Sequence, residues 1–143
     1  MNLFFDSSAL AKRYLQEVGT DSVLRLIDEA ELVLASRLCW LEVTSAVARV
    51  ARDGLLRETD EVIQALDDDF ATLIGILEVT PIVVADARRL ALRHALRAAD
   101  AVHLATVLVA VLWHGADTFF VCSDQRLLAA AKTEKLQVID PNG

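Results

Sequence analysis

The feature that most constrains this chain is a repeated one: short apolar runs that lead straight into helix-forming stretches. Leu3-Phe4-Phe5 is followed at once by Asp6-Ser7-Ser8 and a short amphipathic helix, read as Ser8 to Gln16. Thr20-Asp21 reads as the cap of a second helix that runs through Ala30. Leu32 to Ala35 has strand length and precedes Ser36, a natural cap, and a helix from Arg37 to Arg52 that ends at Asp53-Gly54. A long helical stretch from Glu58 to Ile76 then gives way to a weaker strand, Leu77 to Thr80, closed by Pro81. Helices are expected from Val83 to Leu96 and from Asp100 to Trp113. The strand Thr118 to Cys122, a helix from Ser123-Asp124 to Lys132 and a last short strand, Leu136 to Ile139, complete the chain.

Strands that alternate with helices, and that are apolar throughout rather than at every second residue, predict a parallel sheet covered on both faces. No linker, repeat or low-complexity tract interrupts the 143 residues. The expectation is therefore a single three-layer α/β/α domain spanning 1–143, with a central, mostly parallel sheet. The apolar fraction is 55%, mostly Ala, Leu and Val with few aromatics. That suits helices packed closely on a sheet, and the surplus points to a subunit or partner interface.

Several classes are disfavoured. The longest uncharged run, Ala101 to Ala116, is shorter than the roughly 18–20 residues of a membrane span and contains His103 and His114. The start lacks a basic region and Asp6 interrupts its apolar run, so no signal peptide is expected. Cys39 and Cys122 lie in apolar contexts without metal-ligand spacing, which suits a reduced, cytoplasmic protein. A net charge of −7 argues against indiscriminate nucleic-acid binding through a basic surface, but is compatible with a nuclease whose carboxylates hold cations.

Four acids occupy unusual places. Asp6 and Asp124 sit between an apolar strand and a helix, where an open parallel sheet presents its functional groups. Glu42 shares a helix stripe with Leu38, Ala46 and Arg49, and Asp100 begins the most apolar helix. Each also has an ordinary explanation. Asp6, Asp100 and Asp124 suit helix N-caps, and Glu42 suits a helix glutamate that reaches solvent. Periodicity alone leaves both readings open.

In context these residues resemble the PIN-domain family of ribonucleases, and within it the VapC-type toxins of bacterial and archaeal toxin–antitoxin pairs. The similar pieces are Leu-Phe-Phe-Asp6-Ser-Ser8-Ala-Leu, the Glu42 of Cys-Trp-Leu-Glu-Val-Thr-Ser-Ala, the block Leu96-Arg-Ala-Ala-Asp100-Ala-Val-His-Leu-Ala-Thr, and Phe-Val-Cys-Ser123-Asp124-Gln-Arg-Leu. The resemblance covers essentially the whole chain. It implies an endoribonuclease that uses Mg²⁺ or Mn²⁺ and a water nucleophile to cut single-stranded regions of structured RNA. Convergent carboxylates suit such hard cations, which lower the pKa of a bound water and clamp phosphate oxygens. Asp6 and Asp100 would be the main ligands and Asp124 would complete the shell. Glu42, bound directly or through water, would position or deprotonate the nucleophile. Ser8 and Ser123 would support the acids, or simply cap helices. An antitoxin partner and a homodimer are further implications. One departure stands out: such proteins often carry glycine between the last helix and strand, where this chain reads Lys132-Thr-Glu-Lys135-Leu.

Arg89, Arg93 and Arg97, with Arg88 beside them, recur at helical spacing, and Lys12 and Arg13 follow the Asp6 motif. These are candidate RNA contacts, or alternatively a solvated face or antitoxin contact. Asp67-Asp68-Asp69 reads as a solvated helix segment, and His103 as structural. Two rivals to the ribonuclease are a catalytically silent PIN-like interaction module and a phospho-acceptor receiver domain.

Overall fold

Every residue of β1 (Asn2–Phe5) is buried, which a strand achieves only with a hydrogen-bonded neighbour on each edge and a helical layer on each face. In the computed structural model, which describes residues 1–143, that is its position. β1 is followed by α1 (Ser7–Tyr14), α2 (Thr20–Glu29), β2 (Leu32–Ser36), α3 (Arg37–Arg52), α4 (Thr59–Thr72) and β3 (Ile74–Leu77). Then come α5 (Pro81–His94), α6 (Ala98–His114), β4 (Thr118–Val121), α7 (Gln125–Thr133) and β5 (Gln137–Ile139). The strands form one all-parallel sheet in the order β3-β2-β1-β4-β5.

The chain first builds outward from β1 to β2 and β3, then returns to β1's other edge for β4 and β5. With crossovers of one hand, that reversal places the helices of the two halves on opposite faces. The pleat follows suit. Leu3 and Phe5 pack with Val23, Val43 and Leu66 beneath α1–α4, while Phe4 packs with Leu104, Phe120 and Leu127 beneath α5–α7. Burying side chains of this size stabilises by about 1.5–3 kcal/mol each. The order also excludes the receiver-domain alternative, whose sheet runs 2-1-3-4-5.

Four expectations are corrected. The third strand lies at Ile74–Leu77 rather than Leu77–Thr80, and α4 stops at Thr72. Gly75 pairs with Leu34 across the two strands, and a Cβ there would come within 2.8 Å of a Leu34 methyl, so glycine leaves that side chain its place. Pro81 opens α5 rather than closing a strand: the Thr80 hydroxyl accepts from the Val83 amide at 3.2 Å, and the fixed φ of proline suits a first helical position. Asp100 is not a cap, because α6 starts at Ala98 and Arg97 holds the cap position. At α2 the cap is Gly19, with φ of 93°; the Thr20 hydroxyl instead accepts from the Glu17 amide and donates to the Leu15 carbonyl.

The run of aspartates on α4 is more than a solvated face. Asp69 accepts from Arg13 Nε at 2.7 Å and from the Tyr14 hydroxyl at 2.6 Å, and Asp67 accepts from the Trp40 indole at 2.8 Å. These bonds tie α4 to α1 and α3.

Lys135, in the region where relatives often carry glycine, adopts φ of 65°. The Leu136 amide donates to the Ala131 carbonyl and the Lys135 amide to the Lys132 carbonyl, the paired bonds of a helix end that favours glycine. Lys135→Gly should therefore raise stability by about 0.5–1 kcal/mol, seen as a Tm increase of roughly 1–4 °C on thermal unfolding.

Candidate active site

β1 and β4 are neighbours where the strand order reverses, and the Asp6 amide donates to the Val121 carbonyl at 3.1 Å. The ends of these strands therefore open into one crevice. Asp6 is the N-cap of α1, accepting from the Ala9 amide at 2.9 Å. Its carboxylate is also contacted by the Ser8 hydroxyl, 2.8 Å from each oxygen, and by the Cys122 thiol at 3.3 Å. Burial pushes the Asp6 carboxyl above its usual range, against the opposing pull of His103 and these hydrogen bonds. Ser8 in turn accepts from the Ser123 amide at 3.1 Å, so one hydroxyl bridges the ends of both strands. The Ser123 hydroxyl is buried without a partner.

Asp124 caps α7, accepting from the Leu127 amide at 3.0 Å. The capping and site readings of Asp6 and Asp124 are thus compatible. Asp100 performs no capping. It shares a small cleft with Arg97, Asp124 and Arg126, and its carboxyl is pushed up by burial and then by the negative charges of Asp124, Asp6 and Glu42. Asp100 thus feels the other three sequence-predicted acids, and it lies beside Asp124 in that cleft.

Glu42 projects from α3 toward the first turn of α1. Its Oε1 accepts from the Ser7 hydroxyl at 2.7 Å and meets His103 Nε2 at 2.5 Å. Burial would raise the Glu42 carboxyl, but hydrogen bonds from His103 and Ser7, with the charges of His103 and Arg49, outweigh it. Glu42 therefore titrates below the usual glutamate range. A groove of about 670 Å³ runs from here between α1 and α3, and its lining includes Ser7, Ser8, Lys12, Glu42, Arg49 and Ser123.

The basic candidates divide. Lys12 lines that groove, paired with Glu17 at 3.2 Å, and Arg97 borders the Asp100–Asp124 cleft. Arg13 is engaged by Asp69, Arg89 by Asp86 at 2.8 Å, and Arg93 by Glu134 at 3.2 Å. Sequence reasoning missed Ser7 and Arg126 as site residues and set His103 aside as structural. Spacing carried a usable signal for His103, one helical turn after Asp100, and for Arg49, seven residues after Glu42 on one stripe. For Ser7 the signal was weaker, because either hydroxyl of the Ser7-Ser8 pair could have faced the acids.

Carboxylates that crowd Asp100 are the hard-oxygen donor type that a divalent cation relieves, so the residues suit a cation such as Mg²⁺ or Mn²⁺. No three His, Cys, Asp or Glu side chains close into a ready-made cage. Mg²⁺ keeps several waters and takes one or two carboxylates directly, so it does not require such a cage.

Comparison with known proteins agrees with this fold. A family profile of the PIN domain matches residues 3–132. Ribonuclease VapC45 of Mycobacterium tuberculosis is 39% identical over 107 residues, covering 74% of either chain. The crystal structure of PAE2754 from Pyrobaculum aerophilum superposes with a TM-score of 0.66 at 21% identity, over 92% of this chain and 86% of its own. A toxin–antitoxin complex from Klebsiella pneumoniae superposes with a TM-score of 0.65 at 15% identity, over 98% of both chains.

The repulsion around Asp100 has a measurable cost. A carboxyl whose pKa is raised by folding favours the folded state below its unfolded pKa, near 3.9, and that advantage is lost as pH rises through the folded value. In chelator at neutral pH, Asp100→Asn should therefore be more stable than the parent, by about 1 kcal/mol at most because solvent screens a half-exposed group, with the gain vanishing in acid. Added Mn²⁺ should raise the Tm of the parent and leave that of Asp100→Asn nearly unchanged.

Proposed function

The chain belongs to the PIN-domain family, and within it to the VapC-type ribonucleases; from that premise we propose that Asp6, Glu42, Asp100 and Asp124 form the centre of a divalent-metal-dependent endoribonuclease, the toxin of a toxin–antitoxin pair. The observation that carries this reading is convergence: Asp6 and Asp124 follow the adjacent strands β1 and β4, Ser8 bridges their ends, and Asp100 shares a cleft with Asp124 at the same switch point of the sheet. A solitary cap or an incidental surface acid would not be surrounded in this way. A silent interaction module would have no need to keep such a destabilising cluster.

Asp6 and Asp100 would hold the cation, Asp124 would complete its shell, and Glu42 would bind directly or through water. The bound Mg²⁺ or Mn²⁺ supplies an acidified water and charge relief on the phosphate oxygens. The remaining work falls to side chains. Glu42, held ionised, accepts the proton of the attacking water as a new P–O bond forms, and the departing ribose oxygen takes a proton from solvent. Ser8, which donates to Asp6 and accepts from Ser123, keeps the two strand ends in register. Arg49 along the groove, with Arg97 and Arg126 beside the acids, offers cations to the phosphates of a single RNA strand, whereas Lys12 is buried and paired with Glu17.

An antitoxin is the proposed protein partner, supported by the shared fold of the Klebsiella toxin–antitoxin complex. A second copy is the proposed occupant of the exposed apolar end of α6, where Leu112 and Trp113 are 83% and 72% exposed. No single helix is long and apolar enough to cross a membrane. The cytoplasm is the proposed compartment, supported by two free, buried cysteines.

The deciding experiment incubates purified protein with Mg²⁺ or Mn²⁺ and single-stranded RNA, beside Asp6→Asn, Asp100→Asn and a chelator control. Cleavage should disappear in all three, and undiminished cleavage by both variants would overturn the assignment. Glu42→Gln should lose roughly 10²–10⁴-fold in rate, the contribution of a positioned general base.

Arg97→Ala and Arg126→Ala should each weaken RNA binding in chelator. Their plots of log affinity against log salt should be shallower by about 0.7 for each phosphate left without its cation. Fluorescence anisotropy across a salt series checks this.

A further inference from the structure

We propose that Ser7 and His103 are positioning residues that aim the Glu42 carboxylate, with Oε1 as the anchored oxygen and Oε2 as the working one. This inference rests on the ribonuclease reading of the site and extends it to two residues outside the acidic set.

His103 is buried, with 1% of its surface exposed, while the Glu42 side chain remains one-third exposed. An ionised carboxylate can only accept, so Nε2 must carry the proton that lies between them. Ser7 closes the arrangement: its hydroxyl donates to Oε1 at 2.7 Å, and its oxygen lies 3.1 Å from the same Nε2. Both donors converge on Oε1. Oε2 is left without a protein donor and is free to accept from water.

A histidine retained only for packing would be expected to satisfy both ring nitrogens. Here Nδ1 is buried without a partner, so the polar commitment of the ring is entirely toward Glu42 and Ser7. The placement along the chain is economical. Ser7 directly follows Asp6, and His103 lies one turn after Asp100 on α6. The two elements that deliver Asp6 and Asp100 thus also deliver the two donors that fix Glu42, which arrives separately on α3. A glutamate has three side-chain torsions to restrain, and a base must be held within a fraction of an ångström of its proton.

The test uses the full chain and two independent readouts. His103→Leu removes the donor but keeps an apolar group in an apolar layer, so the fold should survive without loss of Tm. Its kcat should fall by about 10–100-fold with KM little changed, the usual scale for a residue that orients another. In a Glu42→Ala background the same change should cost nothing further, because there is no carboxylate left to aim. His103→Gln, whose amide nitrogen can donate to Oε1, and Ser7→Thr should recover most of the activity lost in His103→Leu and Ser7→Ala.

The second readout needs neither metal nor activity. In chelator, ¹H–¹⁵N spectra should show an exchange-protected His103 Nε2–H resonance that is lost in Glu42→Ala and moves in Ser7→Ala. A kcat for His103→Leu within about 2-fold of the parent, or an equal loss in the Glu42→Ala background, overturns the proposal. So does the absence of the protected resonance. A parent protein that shows this resonance but cuts no RNA would instead overturn the ribonuclease reading on which the catalytic role depends.

Discussion

Complete burial of β1 organises the molecule. A strand of apolar side chains can be hidden on both faces only at the centre of a sheet with a helical layer on each side, so β2 and β4 must take its two edges. Because the chain reaches those edges by travelling in opposite directions, the carboxyl end of β1 becomes the place where the strand order reverses. Asp6 is the next residue. Its position in the crevice is thus a consequence of hydrophobic burial, and the acids from β4 and α6 gather around a point that the core has already set.

Polar groups at this point serve local structure and site together. Asp6 and Asp124 satisfy amides at the starts of α1 and α7 while contributing negative charge to the crevice. Ser8 bonds to Asp6 and to the amide of Ser123, coupling one cap to the end of the neighbouring strand. The dual use limits how far these side chains can move, since turning one away would leave a helix amide unpaired. Asp100 differs: no helix end depends on it, and its surroundings raise the energy of its charged form. Glu42 shows the opposite balance, because donors from α1 and α6 hold its charge in place.

The layered parallel architecture was legible because strand runs without alternation and intervening helix periodicities are local patterns. The helix of residues 37–52 and its Ser36 cap were equally legible, since cap, length and stop signal agree. The region around β3 misleads for a physical reason. The apolar spacing that makes α4 amphipathic continues through Ile74 and Ile76, and only the pairing of Ile74–Leu77 with β2 identifies the strand. The start of α6 is similarly ambiguous. Asp is a strong cap by preference, yet the helix begins earlier, at Ala98. Composition alone makes the aspartates at 67–69 a solvated run, whereas Arg13, Tyr14 and Trp40 reach two of them from helices distant in the chain.

For the site, the sequence by itself determined which acids stand at strand ends and on which helices, and their family contexts singled them out from the chain's other carboxylates. Tertiary structure alone decided how they are used. Whether Asp100 caps a helix or faces Asp124, and whether His103 fills a core or holds Glu42, depends on contacts between residues some 20 to 60 positions apart. Side-chain periodicity reports which face of an element is buried. It carries no record of which polar atom on another element will meet that face, because that follows from strand order and helix packing once the core has closed. Asp6 could be recognised from its immediate neighbours, while the Ser7–Glu42–His103 arrangement exists only where α1, α3 and α6 come together.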